Sequence, residues 1–244
     1  MKKITLLFVI LIPAAIIYPQ NSSPGVPTVS YGGQTYHTVQ IGTQCWLKEN
    51  LNVGSMIKFN NYNPYNWEQT NNNKIEKFCY DNDTNNCATF GGLYQWAEVV
   101  NYQNGATNNS SPKPDFSGNV QGICPAGWHI PTIEEFGLLD TFVDSNSNAL
   151  KLSGYGVGSG AGTNTSGYSG KFSGSASIET YHQTAGFFFN LYSQAFFWSA
   201  SQNDPANAYY MCLYFADHNI YLYSDLKDIG LSVRCLNDEI FSAV

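Results

Sequence analysis

Apolar residues run along this chain in three patterns, each predicting a different element. The first is almost unbroken. Ile4 to Ile17 is an apolar run with Thr5 and Pro13 as its exceptions, behind the basic Met1-Lys2-Lys3 and ahead of the polar Gln20-Asn21-Ser22-Ser23. An apolar stretch shorter than the ~20 residues of a spanning helix, with a basic start, predicts a secretory signal peptide over residues 1–20. No cysteine follows it to carry a lipid anchor, and no later run is long enough to span a membrane. The second pattern has a period of two. Thr28 to Tyr31, the turn Gly32-Gly33 and Gln34 to Ile41 predict a hairpin whose first strand Pro27 keeps short. Gly42-Thr43-Gln44 then turns the chain into Cys45-Trp46-Leu47. In the C-terminal third, Phe187 to Leu191, Phe196 to Ala200, Ala208 to Ala216, Asn219 to Ser224 and Gly230 to Leu236 read as strands, with Asp217-His218 as a hairpin turn.

The third pattern is helical. Leu93, Trp96, Ala97 and Val100 predict a helix over 90–102. Pro131 and a Thr132-x-x-Glu135 capping box ahead of Phe136, Leu138, Leu139, Phe142 and Val143 predict a second over 132–144. Asn60 to Asn73, Asn104 to Gly118 and Gly154 to Gly174 lack periodicity and read as loops. Two helices followed by meandering strands make an α+β domain with antiparallel sheet.

Composition sharpens this picture. The chain has 244 residues, enough for one domain with a substantial core. Only 12% are charged against the ~25% usual in soluble domains, while 15% are aromatic, so Asn, Ser, Thr, Gln and Tyr must supply the polar surface. The formal net charge is -7, and losing Lys2 and Lys3 with the signal peptide takes it to about -9. The Lys and Arg residues form no cluster that would track a phosphate backbone, which argues against nucleic acid. Cys45, Cys79, Cys87, Cys124, Cys212 and Cys235 all follow the signal segment, and an even count in an exported chain reads as a disulfide framework with fifteen possible connectivities. No C-x2-C pair favours zinc, and His37, His129, His182 and His218 are scattered. Gly154-Tyr155-Gly156-Val157-Gly158 lacks the preceding strand and following helix of a phosphate loop.

Several motifs in order resemble one family of exported bacterial surface proteins. They are Gln44-Cys45-Trp46-Leu47-Lys48-Glu49-Asn50-Leu51-Asn52, Cys79-Tyr80-Asp81-Asn82-Asp83 with Asn86-Cys87, Gly91-Gly92-Leu93-Tyr94-Gln95-Trp96, Cys124-Pro125-Ala126-Gly127-Trp128-His129-Ile130-Pro131-Thr132, Phe197-Trp198-Ser199 and Ser232-Val233-Arg234-Cys235. Together they resemble the Fibrobacter succinogenes major paralogous domain, over residues 31–238, leaving 21–30 as a linker and 239–244 as a tail. Gly167 to Gln183 departs from the family's usual segment there, and Cys212 looks like an addition. The segment around Trp128-His129-Ile130-Pro131 and the closing Val233-Arg234-Cys235 are also similar to formylglycine-generating enzymes, which implies a C-type-lectin-like fold of two helices on twisted antiparallel sheets. The short Cys79 to Cys87 interval and the resemblance favour that disulfide. Cys124 with Cys235 would tie the helical region to the last strand, and Cys45 with Cys212 is left by elimination.

The resemblance implies no settled activity, so function rests on sites. A formylglycine-type oxidase needs two copper-binding thiols a few residues apart, but Cys212 is followed at that distance by Asp217. Carboxylates are sparse, no Gly-x-Ser-x-Gly elbow occurs, and the histidines have no evident nucleophile beside them. Asp81, Asp83 and Asn85 alternate as in the first half of a calcium loop, but Asn86 and Gly92 replace its glycine and closing glutamate, and an Asx-rich turn closed by Cys79 and Cys87 explains them. Asn203-Asp204 after Trp198-Ser199 resembles a lectin calcium loop without its partner motif. No cofactor is expected, calcium being the weak exception.

Aromatic residues give the remaining hint. Strand alternation puts Tyr209, Met211, Leu213 and Phe215 on one face and Tyr210, Cys212 and Tyr214 on the other. If the first is core, Tyr210 and Tyr214 with Tyr221 or Tyr223 form a platform for sugar rings; cross-strand packing is the plainer role. Trp46, Trp96, Trp128 and Trp198 sit in apolar motifs and belong to the core, whereas Trp67 stands in a polar loop. The three long loops converging near Asn203-Asp204 would make Trp67, Tyr168 and Asn203 contact residues. The reading is a non-enzymatic, exported adhesion or binding module for a glycan or surface protein. The alternatives are a structural component of a surface assembly and a metal-dependent enzyme.

Overall fold

The computed structural model describes residues 23, 26–58, 68–108, 114–177 and 187–240. The expected signal segment and Trp67 lie outside them. The first strands follow from their turns: Thr28–Tyr31 (β1) and Gln34–Ile41 (β2) pair antiparallel across Gly32-Gly33, both at positive φ, and Gly42 at φ 61 returns the chain into Gln44–Leu47 (β3). Two short parallel strands, Ser55–Met56 (β4) and Glu76–Lys77 (β5), follow.

Of the helix expected over 90–102, only one turn at 96–99 forms. Thr84–Phe90 forms α1 and Trp96–Val99 a single turn, α2. Gly91 separates them at φ 87, where a Cβ would stand 2.6 Å from Asn50 Cβ. Leu93 and Tyr94 are extended, bridging Phe78 and Leu231, so their burial reflects distant strands and only coincides with helical spacing. The Asp81 to Asn85 segment is also more than a turn: Asp83 caps α1, its carboxylate accepting from Asn85 N at 2.9 Å.

Trp128–His129 (β6) leads to Ile133–Phe142 (α3), which begins on the expected capping box. Thr132 Oγ1 accepts from Glu135 N at 3.2 Å, and Glu135 Oε2 accepts from Thr132 N at 2.8 Å. Residues 154–172 are irregular apart from a 3-10 turn at Gly158–Gly160. The remaining strands are Ser173–Ala176 (β7), Phe188–Leu191 (β8), Gln194–Gln202 (β9), Asn207–Tyr214 (β10), Ile220–Leu226 (β11) and Leu236–Asn237 (β12). Where a strand over 230–236 was expected, single bridges from Gly230, Leu231 and Ser232 precede β12.

These strands build an antiparallel five-stranded sheet ordered β1-β2-β3-β12-β6, a three-stranded sheet β11-β10-β9 and the pair β7-β8. With three α-helices among the described residues, the architecture is α+β. Strand alternation feeds two cores. Val39, Ile41, Trp46, Phe197, Met211 and Leu213 join Phe136 and Leu139 of α3, while Cys45, Leu47, Trp198 and Cys212 join Trp96 and Val99. All four tryptophans expected in the core are buried.

Covalent and polar ties close the domain. Cys79 bonds Cys87, and Cys124 bonds Cys235 across 111 residues. The pair expected by elimination, Cys45 with Cys212, does not form: both are free, buried thiols, one on β3 of the larger sheet and one on the middle strand of the smaller. Burial pushes them to about 11 and about 12 respectively. His129 is buried between two carboxylates, Nδ1 at 2.7 Å from Asp238 Oδ1 and Nε2 at 3.0 Å from Glu135 Oε1. Its burial opposes protonation, but Glu135 and Asp238 outweigh this and raise its pKa, fastening the α3 cap to the C-terminal segment. Lys151 pins the Asp217 turn, donating from Nζ to Gly160 O and Asn148 Oδ1, each at 3.1 Å, and to Asp217 O.

Candidate functional site

The smaller sheet carries the candidate site. In β10 and β11, Tyr210 lies opposite Tyr223 and Cys212 opposite Tyr221, so these residues and Tyr214 share one face. The other face, with Met211 and Leu213, is sealed in the core against α3. Trp198 and Phe196 of β9 continue the tyrosine face inward, Trp198 opposite Tyr210. The result is an aromatic ladder. Trp198 packs edge-on to Tyr210 at 6.0 Å, Tyr210 meets Tyr223 at 6.4 Å, Tyr223 stacks on Tyr221 at 5.4 Å, and Tyr221 meets Tyr214 edge-on at 5.2 Å. Its Trp198 end is fully buried, whereas Tyr223 in the middle of the ladder is 45% exposed.

A hollow of about 410 Å³ opens beside this ladder, lined by Tyr214, Phe215, Ala216, Asp217, Tyr221 and Tyr223. Asp217 organises its rim: Oδ1 accepts from Asn219 N at 2.6 Å and Oδ2 from the Tyr221 hydroxyl at 2.7 Å. The Asn219 and Tyr221 hydrogen bonds hold its carboxyl below the usual range, so it is ionised at neutral pH. Burial raises Tyr210, and Tyr214 to about 12, while the hydrogen bond to Asp217 raises Tyr221; all three hydroxyls stay neutral. A smaller hollow of about 90 Å³ lies at the Tyr210 end, bounded by Phe196, Asn190 and Asp225. The face therefore offers flat apolar rings, neutral hydroxyl groups and a carboxylate at either end.

The other residues read from sequence fall elsewhere. Tyr168, expected as a surface contact, is completely buried, 5.6 Å from both Trp46 and Phe197 and beneath the Arg234 guanidinium. An aromatic in a Gly- and Ser-rich segment looks like a loop tip, but the segment is tied back to residues 150–152 through Gly170 N to Leu150 O and Leu152 N to Gly170 O. Asn203 is exposed, but its amide is held by Ser224 Oγ and the Tyr209 hydroxyl. Asp204 closes its own turn, accepting from Ala206 N and Asn207 N. Asp83 is occupied as a helix cap, and among the described residues no group of three or more His, Cys, Asp and Glu converges in a way that would hold a metal. Asp217 and Asp225 were missed as site residues. The only sequence signal for Asp217 is Asn219 two residues on, an Asx-turn spacing.

The fold and site define an α+β, disulfide-crosslinked domain with an open aromatic sheet face. More particularly, the chain belongs to the Fibrobacter succinogenes major domain family, whose profile matches residues 39–237. No curated protein and no solved structure matches it.

Proposed function

We propose that the protein is an exported, non-enzymatic binding module that holds a glycan on the tyrosine face of β10 and β11. The carrying observation is the alignment of Tyr210, Tyr214, Tyr221 and Tyr223 on one partly open sheet face beside the Asp217 hollow. Aromatic rings stack on the apolar faces of sugars, while tyrosine hydroxyls and Asp217 pair with their hydroxyl groups. Tyr221 and Asp225 stand four residues apart on one strand, about 13 Å, which suits a ligand longer than one ring. Two disulfides fit an oxidising compartment, in keeping with secretion or display at the cell surface. A C-type-lectin-like arrangement is the finer fold reading; it is supported by the joining of N- and C-terminal strands in one sheet and the long irregular segment before β7.

The test is a neutral-glycan array probed with the protein and with Tyr221→Ala and Tyr223→Ala, each with and without chelator. A calcium-independent sugar signal lost in both variants at unchanged melting temperature supports the proposal. Glycan binding that survives both substitutions removes the ligand from this face, and silence on the array with self-association favours a structural role.

A further inference from the structure

A third cavity, of about 330 Å³, shares no residue with the tyrosine face. It lies between the β2 and β3 segments, the end of α1 and the segment around Lys171, and Arg234 contributes to its wall. Arg234 is the informative residue. Only 1% of it is exposed, and its guanidinium lies 4.2 Å from the Tyr168 ring and 5.2 Å from that of Phe197. Its hydrogen bonds go to neutral acceptors, the Tyr168 carbonyl and Asn50 Oδ1, and its Nε has no acceptor. Asn50 is itself committed, donating to Phe90 O at 2.8 Å. A buried cation is ordinarily matched by a carboxylate, and here none among the described residues forms an ion pair with it.

The rest of the wall continues the imbalance. Lys48 and Lys171 line the same cavity, and Lys171 spends one of its three donors on Thr89 O at 2.8 Å. Glu49 is the one carboxylate among the described wall residues, and both its oxygens turn to His37, Oε2 to the backbone N at 2.8 Å and Oε1 to Nδ1 at 2.9 Å. Three cations thus line a cavity whose one carboxylate already has a partner. The last carbonyls of α1 add partial negative charge, which suits a single anionic charge better than a double one. Thr35, Asn52 and Ser169 supply hydroxyl and amide groups, and the volume is at the low end of the ~300–1,000 Å³ of small-molecule sites.

We propose that this cavity binds a compact hydroxylated carboxylate, a uronic acid being the matching class, with Lys48 and Lys171 on the carboxylate in the field of Arg234. The site is independent of the glycan face, so either assignment survives failure of the other. Isothermal titration calorimetry on the full chain tests it, with D-galacturonate as probe, D-galactose as its neutral counterpart and sulfate as competitor, in about 50 mM salt to limit screening. The expected result is saturable binding of galacturonate, and none of galactose once the tyrosine face is removed by Tyr221→Ala. Lys48→Met and Lys171→Met each weaken it about tenfold, Glu49→Gln tightens it a few-fold, and Tyr221→Ala leaves it unchanged. The proposal is overturned if galacturonate gives no saturable heat, or if galactose binds the Tyr221→Ala variant as well as galacturonate does. It is equally overturned if lysine variants with native melting bind undiminished, or if sulfate displaces galacturonate at equal concentration.

Discussion

The two faces of β10 are made from alternate positions of the same eight residues, and they have opposite fates. Met211 and Leu213 are wholly buried against α3, Trp46 and Phe197, whereas Tyr210 and Tyr214 stay partly open and hand their rings on to Tyr221 and Tyr223. A sheet needs only one apolar face to be anchored. Here the second face is aromatic as well as open, carrying hydroxyl groups and a flanking carboxylate, an unusual use of surface in a chain with 12% charged residues.

The sharpest way to break this contrast is to truncate each face. Leu213→Ala removes a buried side chain on the sealed face and should cost about 2–5 kcal/mol by urea denaturation. A loss below about 1 kcal/mol would mean that this face is not close-packed.

Next in size is a flaw within the sealed interior. Glu98 on α2 is 1% exposed, accepts from Glu76 N at 3.1 Å and the Tyr102 hydroxyl at 3.0 Å, and is pushed up to about 7 by burial. Its folded pKa lies above its unfolded value of 4.5, so its contribution to stability is complete below pH 4.5 and is lost as pH rises to about 7. Glu98→Gln should therefore match the parent in acid and exceed it by about 1–3 kcal/mol near pH 8. A pH-independent difference between the two would show that Glu98 ionises freely.

Cys212 sharpens the contrast from the other side, because it shares the tyrosine face yet is fully covered. Ellman's reagent should find no reactive thiol in the native protein and two after unfolding without reductant. One fast thiol would show that the ladder does not seal its base. Smallest of all, Tyr223→Ala should change stability by about 0.5 kcal/mol or less while abolishing glycan retention in affinity electrophoresis. A stability loss equal to that of Leu213→Ala would make the two faces energetically alike.

What the sequence disclosed depended on how local each signal was. The Gly32-Gly33 hairpin and the Thr132–Glu135 capping box are settled by neighbours within four residues, and both form as read. Tyr210, Tyr214, Tyr221 and Tyr223 were recognisable because strand alternation assigns faces without tertiary knowledge. The helix over 90–102 failed where Leu93 and Tyr94 bridge Phe78 and Leu231, partners that no local window contains. Cys45 with Cys212 failed because elimination presumes that every thiol is oxidised, whereas burial alone accounts for both. The Arg234 cavity was invisible for the same reason of distance: Lys48, Lys171 and Arg234 arrive singly from three remote segments.

The position of β12 also sets the order in which the protein can be completed. It lies between β3 and β6, paired through Leu236 to Trp46 on one side and to His129 on the other, and Cys235 beside it carries the longer disulfide. A chain emerging N-terminus first from the ribosome has made both flanking strands long before the one that joins them. Until β12 has emerged, the larger sheet stands as two unjoined pieces, so its closure waits on a pairing of long sequence separation.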